Sequence, residues 1–306
     1  MQESELAEFY RALGHRVIRT RSCFWVSAGP LQFKSLPDHK IVTPSAGELA
    51  KVMVLGPAAA VRYASESTAA RTNGTLYVCS NRDYDLSSLS QNARSRTRRG
   101  LARCRVERID FTCIVRHGYG LALDTHLRQT GKPLGMTCKG WESYWEKAAQ
   151  LSDFEAWGAF VGEKLAAFTV TCLVEECLLI YRGASSAELV KFYPNEALLF
   201  TVVKSGLASP KVGYVSSGLK PLASSEGLDY FKISMGFTPS PLNDRVVFNP
   251  LIGPLLAWPG AALASRLAKL NPRRLFWRKL SAAIRLNKDS AAGLAAKAGE
   301  RGVNPA

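Results

Sequence analysis

Residues 194–206, PNEALLFTVVKSG, can form a helix with almost no polar face. Pro194 suits the first helical position, where a missing N–H costs nothing. Glu196 in the first turn and Lys204 in the last suit the helix dipole, and Gly206 is expected to stop the helix. Ala197, Leu198, Phe200, Thr201, Val202 and Val203 ring the middle with apolar or small side chains, so the helix should be buried against a sheet. A strand centred on Tyr214 and Val215 follows, then a short helix within SSEGLDYFKISMGF. There Leu228, Phe231 and Met235 recur at i, i+3 and i+7 as one apolar stripe, Gly236 supplies a left-handed stop, and Asp229 and Lys232 are left to face elsewhere.

Upstream, a helix over 143–151 places Trp145 and Ala148 on its apolar side, with Trp141 and Tyr144 beside them. Apolar runs at 157–161, 165–174 and 177–181 are separated by turn residues and read as an antiparallel meander. Strands followed by helix, strand and helix make an α+β chain with a mixed sheet. Residues 3–14 read as an amphipathic helix bearing Leu6, Phe9, Tyr10 and Leu13, ended by Gly14. Short strands at 17–18, 23–26 and 76–79 and a helix over 47–55 complete the first part, which has no strong pattern of its own.

The formal charge of +15 is spread unevenly. Residues 91–108 hold seven arginines against one glutamate, and residues 245–306 hold eleven cations against two acids, while 109–244 are nearly balanced. Such patches suit polyanions: RNA, an anionic lipid surface or a phosphorylated substrate. On a helical wheel for 85–110, Leu86, Ala93, Thr97, Gly100 and Cys104 share one side. Arg94, Arg98 and Arg105 form one shoulder, and Arg96, Arg99 and Arg103 the other. Guanidinium forks grip phosphate oxygens bidentately, and the alternative is a solvated helix with snorkelling arginines.

Seven cysteines without CxxC spacing read as reduced thiols, and the acidic, polar start MQESELAEF is not that of a signal peptide. No apolar run reaches spanning length. The stretch after Phe248 is punctuated by Pro250, Pro254 and Pro259, so it cannot be one continuous helix. From Arg245 to Lys288 there is no acid, and Leu275, Phe276, Trp277, Leu280 and Ile284 supply an apolar side. This is a pattern for a membrane interface or for a helix packing on the domain. Phosphate-loop, dinucleotide, nucleophile-elbow and zinc-protease motifs are absent, and His15, His39, His117 and His126 show no metal spacing.

The segments YRGASS, YPNEALLF and YFKISMGF, in this order, resemble the C-terminal half of a GNAT-type acyltransferase domain, more narrowly its FemABX-like branch. The resemblance runs from about Trp25 to Phe248 and implies a GNAT-like mixed, mostly antiparallel sheet flanked by helices. It divides the chain into a degenerate N-terminal half (1–84), a basic connecting helix (85–110), a C-terminal acyltransferase half (111–248) and a basic amphipathic tail (249–306). It also implies an Arg-rich helix between the halves, here offering Arg94, Arg98 and Arg99 to substrate phosphate. The glycine loop that holds the CoA pyrophosphate in ordinary acetyltransferases is replaced by SSAELVKFYPNE, a departure shared by the FemABX-like branch.

Acyl transfer to an amine needs orientation of two groups and stabilisation of an oxyanion. The Phe231–Lys232 pair resembles a functional Phe-Lys pair of that branch, so Lys232 is expected at developing charge or substrate phosphate with Phe231 beside it. The alternative for Lys232 is a surface ion pair with Asp229. Tyr181, at the end of its strand, is expected to donate to the leaving group or to be a core tyrosine. Asn195 is expected to bind a phosphate or carboxylate or to cap its helix.

The expected function is transfer of an acyl or aminoacyl group to an amine of a cell-envelope or polysaccharide precursor. The protein is expected in the cytoplasm, with peripheral contact at the inner membrane face through 250–288. The donor would be acyl-CoA or aminoacyl-tRNA, with no tightly bound cofactor and no metal. The substrate would be anionic, either a small molecule or lipid-linked. The alternatives are a non-catalytic module binding RNA or anionic membrane, and a small-molecule acetyl-CoA N-acetyltransferase.

Overall fold

The computed structural model describes residues 1–29, 31–67, 72–220, 226–251, 266 and 280–287. In chain order the first elements are α1 (Glu3–Ala12), β1 (Val17–Arg19), β2 (Phe24–Ser27), β3 (Gln32–Leu36), α2 (Ala46–Leu55), β4 (Ala60–Ser65) and β5 (Gly74–Cys79). Then come α3 (Gln91–Arg103), β6 (Arg105–Ile109) and α4 (Phe111–Cys113), which runs through a π turn at Ile114–Gly118 into α5 (Tyr119–Thr130). The remainder is α6 (Cys138–Ala149), β7 (Phe154–Val161), β8 (Lys164–Val174), β9 (Cys177–Ser185), α7 (Pro194–Ala208), β10 (Tyr214–Leu219), α8 (Glu226–Ser234) and β11 (Thr238–Phe248).

The chain folds as two compact units built from interleaved segments. One takes residues 1–13, 76–218 and 225–240, and the other takes 14–75, 219–224 and 241 onward.

In the first unit the strand order is β5-β10-β9-β8-β7-β6. The β7-β8-β9 meander is antiparallel, and β10 then joins β9 in parallel, with α7 as the crossover. The helix is buried as its sequence demands: Ala197, Leu198, Phe200, Val202, Val203 and Leu207 are all in the core. Gly206 does not stop it, because α7 runs on to Ala208. A Cβ at Gly206 would lie 2.4 Å from Leu178 Cδ2, so the glycine lets the helix sit directly on β9.

Two layers of apolar side chains hold this unit. Leu178, Val215, Phe200, Val203, Tyr77, Tyr84 and Met235 form one cluster, and Trp157, Ala167, Leu198 and Val202 form another. Gly236 has the expected left-handed φ of +84° and ends α8. The apolar stripe of α8 is less regular than its spacing suggests: Met235 is fully buried, whereas Leu228 is 38 % exposed.

The second unit has the order β1-β2-β3-β4-β11. Its β1-β2-β3 meander is antiparallel and β4 pairs β3 in parallel after the α2 crossover. That is the same succession as β7-β8-β9, α7 and β10. β11 adds to β4 antiparallel, and Arg62 clamps Asp244 through two hydrogen bonds of 2.9 and 2.6 Å. Trp25, Phe33, Val52 and Val61 fill its core. In the basic tail, Ile284 and Leu286 pack on Val246 and Phe248 of β11, with Leu280 beside them. This part of the segment packs on protein. Leu275, Phe276, Trp277, Pro254 and Pro259 lie outside the described residues.

The arginine-rich segment is a helix only over Gln91–Arg103. Ser90 caps it by accepting from the Ala93 N–H. Arg105 therefore belongs to edge strand β6, where Val106 and Ile109 lie among polar neighbours. The stripe of Ala93, Thr97 and Gly100 is buried as the wheel predicts. It sits against α7, and a Cβ on Gly100 would meet the Tyr193 carbonyl oxygen at 2.5 Å and Ala197 Cβ at 3.0 Å. Gly100→Ala is expected to push α3 away from α7 and cost about 1–3 kcal/mol. Urea unfolding checks this, and an unchanged midpoint would contradict the close packing.

Candidate active site

The two parallel strands of the first unit touch over three rungs and then part. Cys177, Leu178 and Leu179 of β9 pair with Tyr214, Val215 and Ser216 of β10. Beyond Leu179, β9 continues to Ser185 on its ladder with β8 alone. That ladder slips where Thr171 faces Ile180 but Val170 faces Arg182, so Tyr181 is a bulged residue. Among the described residues, Tyr181 is the one member of β9 that neither ladder pairs. A notch between parting strands, with a bulge on one wall, is where backbone groups become available to a bound carbonyl.

On the β9 wall, the Tyr181 hydroxyl lies 2.5 Å from the Tyr144 hydroxyl and donates to the Tyr10 hydroxyl at 3.2 Å. Its ring meets Phe154 edge-on at 5.2 Å. Burial, with Tyr10 and Tyr144 adding to it, pushes Tyr181 well above the ordinary tyrosine range. The group is thus a retained O–H, able to donate but not a base near neutral pH. The Arg182 guanidinium sits over Trp141 at 5.4 Å and over Tyr144 at 5.7 Å, placing one cation beside the three hydroxyls.

On the β10 side, Lys232 reaches back from α8 and donates to the Ser217 carbonyl at 3.0 Å. It is only 7 % exposed, with Nζ 4.6 Å from the centre of the Tyr77 ring. Lys232 is therefore not the solvated lysine of a surface ion pair, and it does not face away from the core. Burial pulls it down to about 8, against the opposing pull of the Asp229 carboxylate. Tyr77, in turn, is raised to about 12 by burial and by its hydrogen bond to Asp229. Ser217 Oγ is buried without a hydrogen-bond partner among the described residues. Next to it the Gly218 N–H donates to Ser216 Oγ at 3.1 Å, in a left-handed turn with φ of +80°.

Tyr181 and Lys232 thus belong to two separate clusters. Phe231 is half-buried and packs on the core around Met235. Asn195 joins the first turn of α7 to the end of β9 by donating to Ser185 Oγ at 3.1 Å. The Ser185 carbonyl is gripped by Thr125 at 3.0 Å and Arg128 at 2.6 Å.

The arginines divide by task. Arg94 spends its fork on the carbonyls of Leu86, Ser87 and Leu89, so it ties down the turn before α3. Arg98 is exposed. Arg99 lies over the Tyr193 ring at 4.7 Å, and Arg96 stands 4.0 Å from Glu196. Burial raises Glu196, with Arg96 pulling the other way. A buried carboxylate already occupies the first turn of α7, at the positive end of that helix.

Tyr10 and Tyr144 read in sequence as apolar-face residues, and Tyr77 as an ordinary strand residue. No local signal marks them, because each meets its partner only through the tertiary fold.

No family model and no curated protein matches the chain. Solved structures do. FemX superposes with a TM-score of 0.56 at 14 % identity, covering 82 % of this chain and 93 % of its own. The C-terminal domain of a putative lysylphosphatidylglycerol synthetase from Agrobacterium fabrum gives 0.55 at 14 % identity, covering 87 % and 93 %. The chain has a FemABX-like GNAT fold. In this fold β9, α7 and β10 are the central strand–helix–strand crossover, and the notch lies at its opening.

Proposed function

We propose that the protein transfers an aminoacyl or acyl group to an amine of an anionic cell-envelope or polysaccharide precursor, and that the notch between β9 and β10 holds the reacting carbonyl. The observation that carries this reading is the Tyr181 bulge at the point where the parallel strands part. The acceptor amine attacks the carbonyl carbon, a C–N bond forms and the ester or thioester bond to the donor breaks. Tyr181 supplies a proton to the departing oxygen or sulfur, and the nitrogen, positively charged once it has added to the carbonyl, returns one to the tyrosinate. Lys232 offers its charge to a precursor phosphate. The name of the second structural neighbour describes an aminoacylated phospholipid, whose acceptor is a hydroxyl; what it lends to this reading is a lipid-borne, anionic acceptor, which suits this chain's charge of +15. Residues 250–288, apart from the stretch around Ile284 and Leu286 that packs on β11, would keep the enzyme at the inner membrane face, with the cations among them touching anionic lipid.

Two features favour aminoacyl-tRNA over acyl-CoA as donor. The glycine loop before α7 is missing, and Glu196 takes up the positive end of that helix. Thermal stabilisation of the purified protein tests the choice. Charged tRNA is expected to raise the midpoint more than the same tRNA deacylated, and acetyl-CoA to leave it unchanged. Stabilisation by acetyl-CoA alone would assign the ordinary acetyltransferase reaction instead.

A further inference from the structure

We infer that Arg96, Arg99 and Arg103 form a ridge that docks the phosphodiester backbone of an RNA strand and leads its end toward the notch. The inference rests on the aminoacyl-tRNA reading above and names the surface that would hold that donor.

The structure separates the two arginine shoulders of α3. Arg94 is consumed by three backbone carbonyls. Arg96, Arg99 and Arg103, at i, i+3 and i+7, share one face and are all exposed. With a helical rise of about 1.5 Å per residue, the ridge is about 10 Å long. In a DNA duplex each strand carries a charge about every 3.4 Å of axis, and phosphates of a free strand are spaced more widely, so the ridge meets about two or three consecutive phosphates. A single phosphate or a lipid headgroup has no use for a row of that length. All five cations of α3 are arginines, the residue that grips phosphate bidentately and stacks on flat rings.

The ridge also points somewhere. Arg99 lies over Tyr193, Arg96 is beside Glu196, and Asn195 between them is bonded to Ser185 at the end of β9. A strand following the ridge arrives at the end of the bulged strand. The surface is unlike a bilayer anchor: among α3's exposed residues Leu101 is the single large apolar one.

The test uses the full chain and a labelled deacylated tRNA, with Kd measured across a salt series from about 50 to 200 mM. One variant carries Arg96→Gln, Arg99→Gln and Arg103→Gln. A control carries Lys132→Gln, Lys139→Gln and Lys211→Gln, three exposed lysines elsewhere with the same loss of charge. The ridge variant is expected to lose about tenfold or more in affinity, with the log–log salt slope shallower by about 2 to 3. The control should stay within about twofold of wild type. Equal loss in both, or wild-type slope in the ridge variant, would overturn the inference.

Vesicles of anionic phospholipid form a second arm, and their binding should not respond to the ridge variant. Loss of vesicle binding with RNA binding intact would assign the ridge to membrane instead. Transfer is scored separately. Normal transfer with no ridge effect on RNA sinks this inference alone, and ridge-dependent RNA binding without transfer sinks the reading of the notch alone.

Discussion

Lys232→Met is expected to lower the rate of transfer by about 10²–10³-fold, the scale on which removing one well-placed electrostatic group acts. The reason is the way the ammonium is held. It is almost entirely buried, donates to the Ser217 carbonyl and lies over the Tyr77 ring. Burial pulls it from 10.5 to about 8. Activity that needs its charge should therefore fall as pH rises through about 8.

Stability should move the other way. Between pH 8 and 10.5 the unfolded chain keeps a proton that the folded chain has released, so this group adds stability as pH rises. Below pH 8 its burial costs at most about 3 kcal/mol. Raised groups act oppositely at higher pH: Cys177 and Tyr77 are both held up to about 12. The informative quantity is thus the difference between wild type and variant. Lys232→Met should be the more stable protein below pH 8, with the gap closing toward pH 10. A variant both less stable and fully active would mean that the lysine serves only packing.

Met235→Ala is expected to cost about 2–5 kcal/mol in urea unfolding, the usual range for deleting a fully buried long side chain. Met235 is inaccessible to solvent, and its carbonyl accepts from the buried Tyr84 hydroxyl at 2.7 Å. Together with half-buried Phe231 it fixes the short helix α8 to the core. Loosening that helix moves Lys232 as well, so transfer should fall further than the loss of folded protein explains. Met235→Leu keeps the volume and should cost less than about 1.5 kcal/mol. Equal costs for the two variants would place the Met235 side chain outside the packing that holds α8.

How far the sequence reaches is clearest around α7. Pro194, the absence of a polar face and the apolar runs before it announce a buried crossover helix beside a sheet. The meander strands lie where their runs and turns put them, give or take a few residues. Gly206 misleads, because its role is set by the distance to Leu178 on another element and not by its own helix. Strand β6 hides among arginines, since Val106 and Ile109 are too few to outweigh them. The helical run from Phe111 to Thr130 carries no stripe strong enough to read.

The candidate site was legible by type but not by arrangement. Tyr181 reads in sequence as a tyrosine ending a strand, but β9 runs on to Ser185, and Tyr181 sits mid-strand in a bulge that exists only in the register with β8. Lys232 reads in sequence as a substrate-facing charge or, alternatively, a surface lysine paired with Asp229, and its burial escapes both readings because Tyr77, which covers it, comes from far earlier in the chain. Among the arginines, composition cannot tell Arg94, which is spent on carbonyls, from Arg96, Arg99 and Arg103.

The most direct measurement is the fate of the aminoacyl label. A pool of tRNA charged with radiolabelled amino acids, incubated with the protein and an extract of envelope precursors, should yield label in an amide product on the precursor. That yield should collapse with Lys232→Met. Label that stays on tRNA, or leaves it at the rate seen without protein, would contradict the assignment of the β9–β10 notch as an acyl-transfer site.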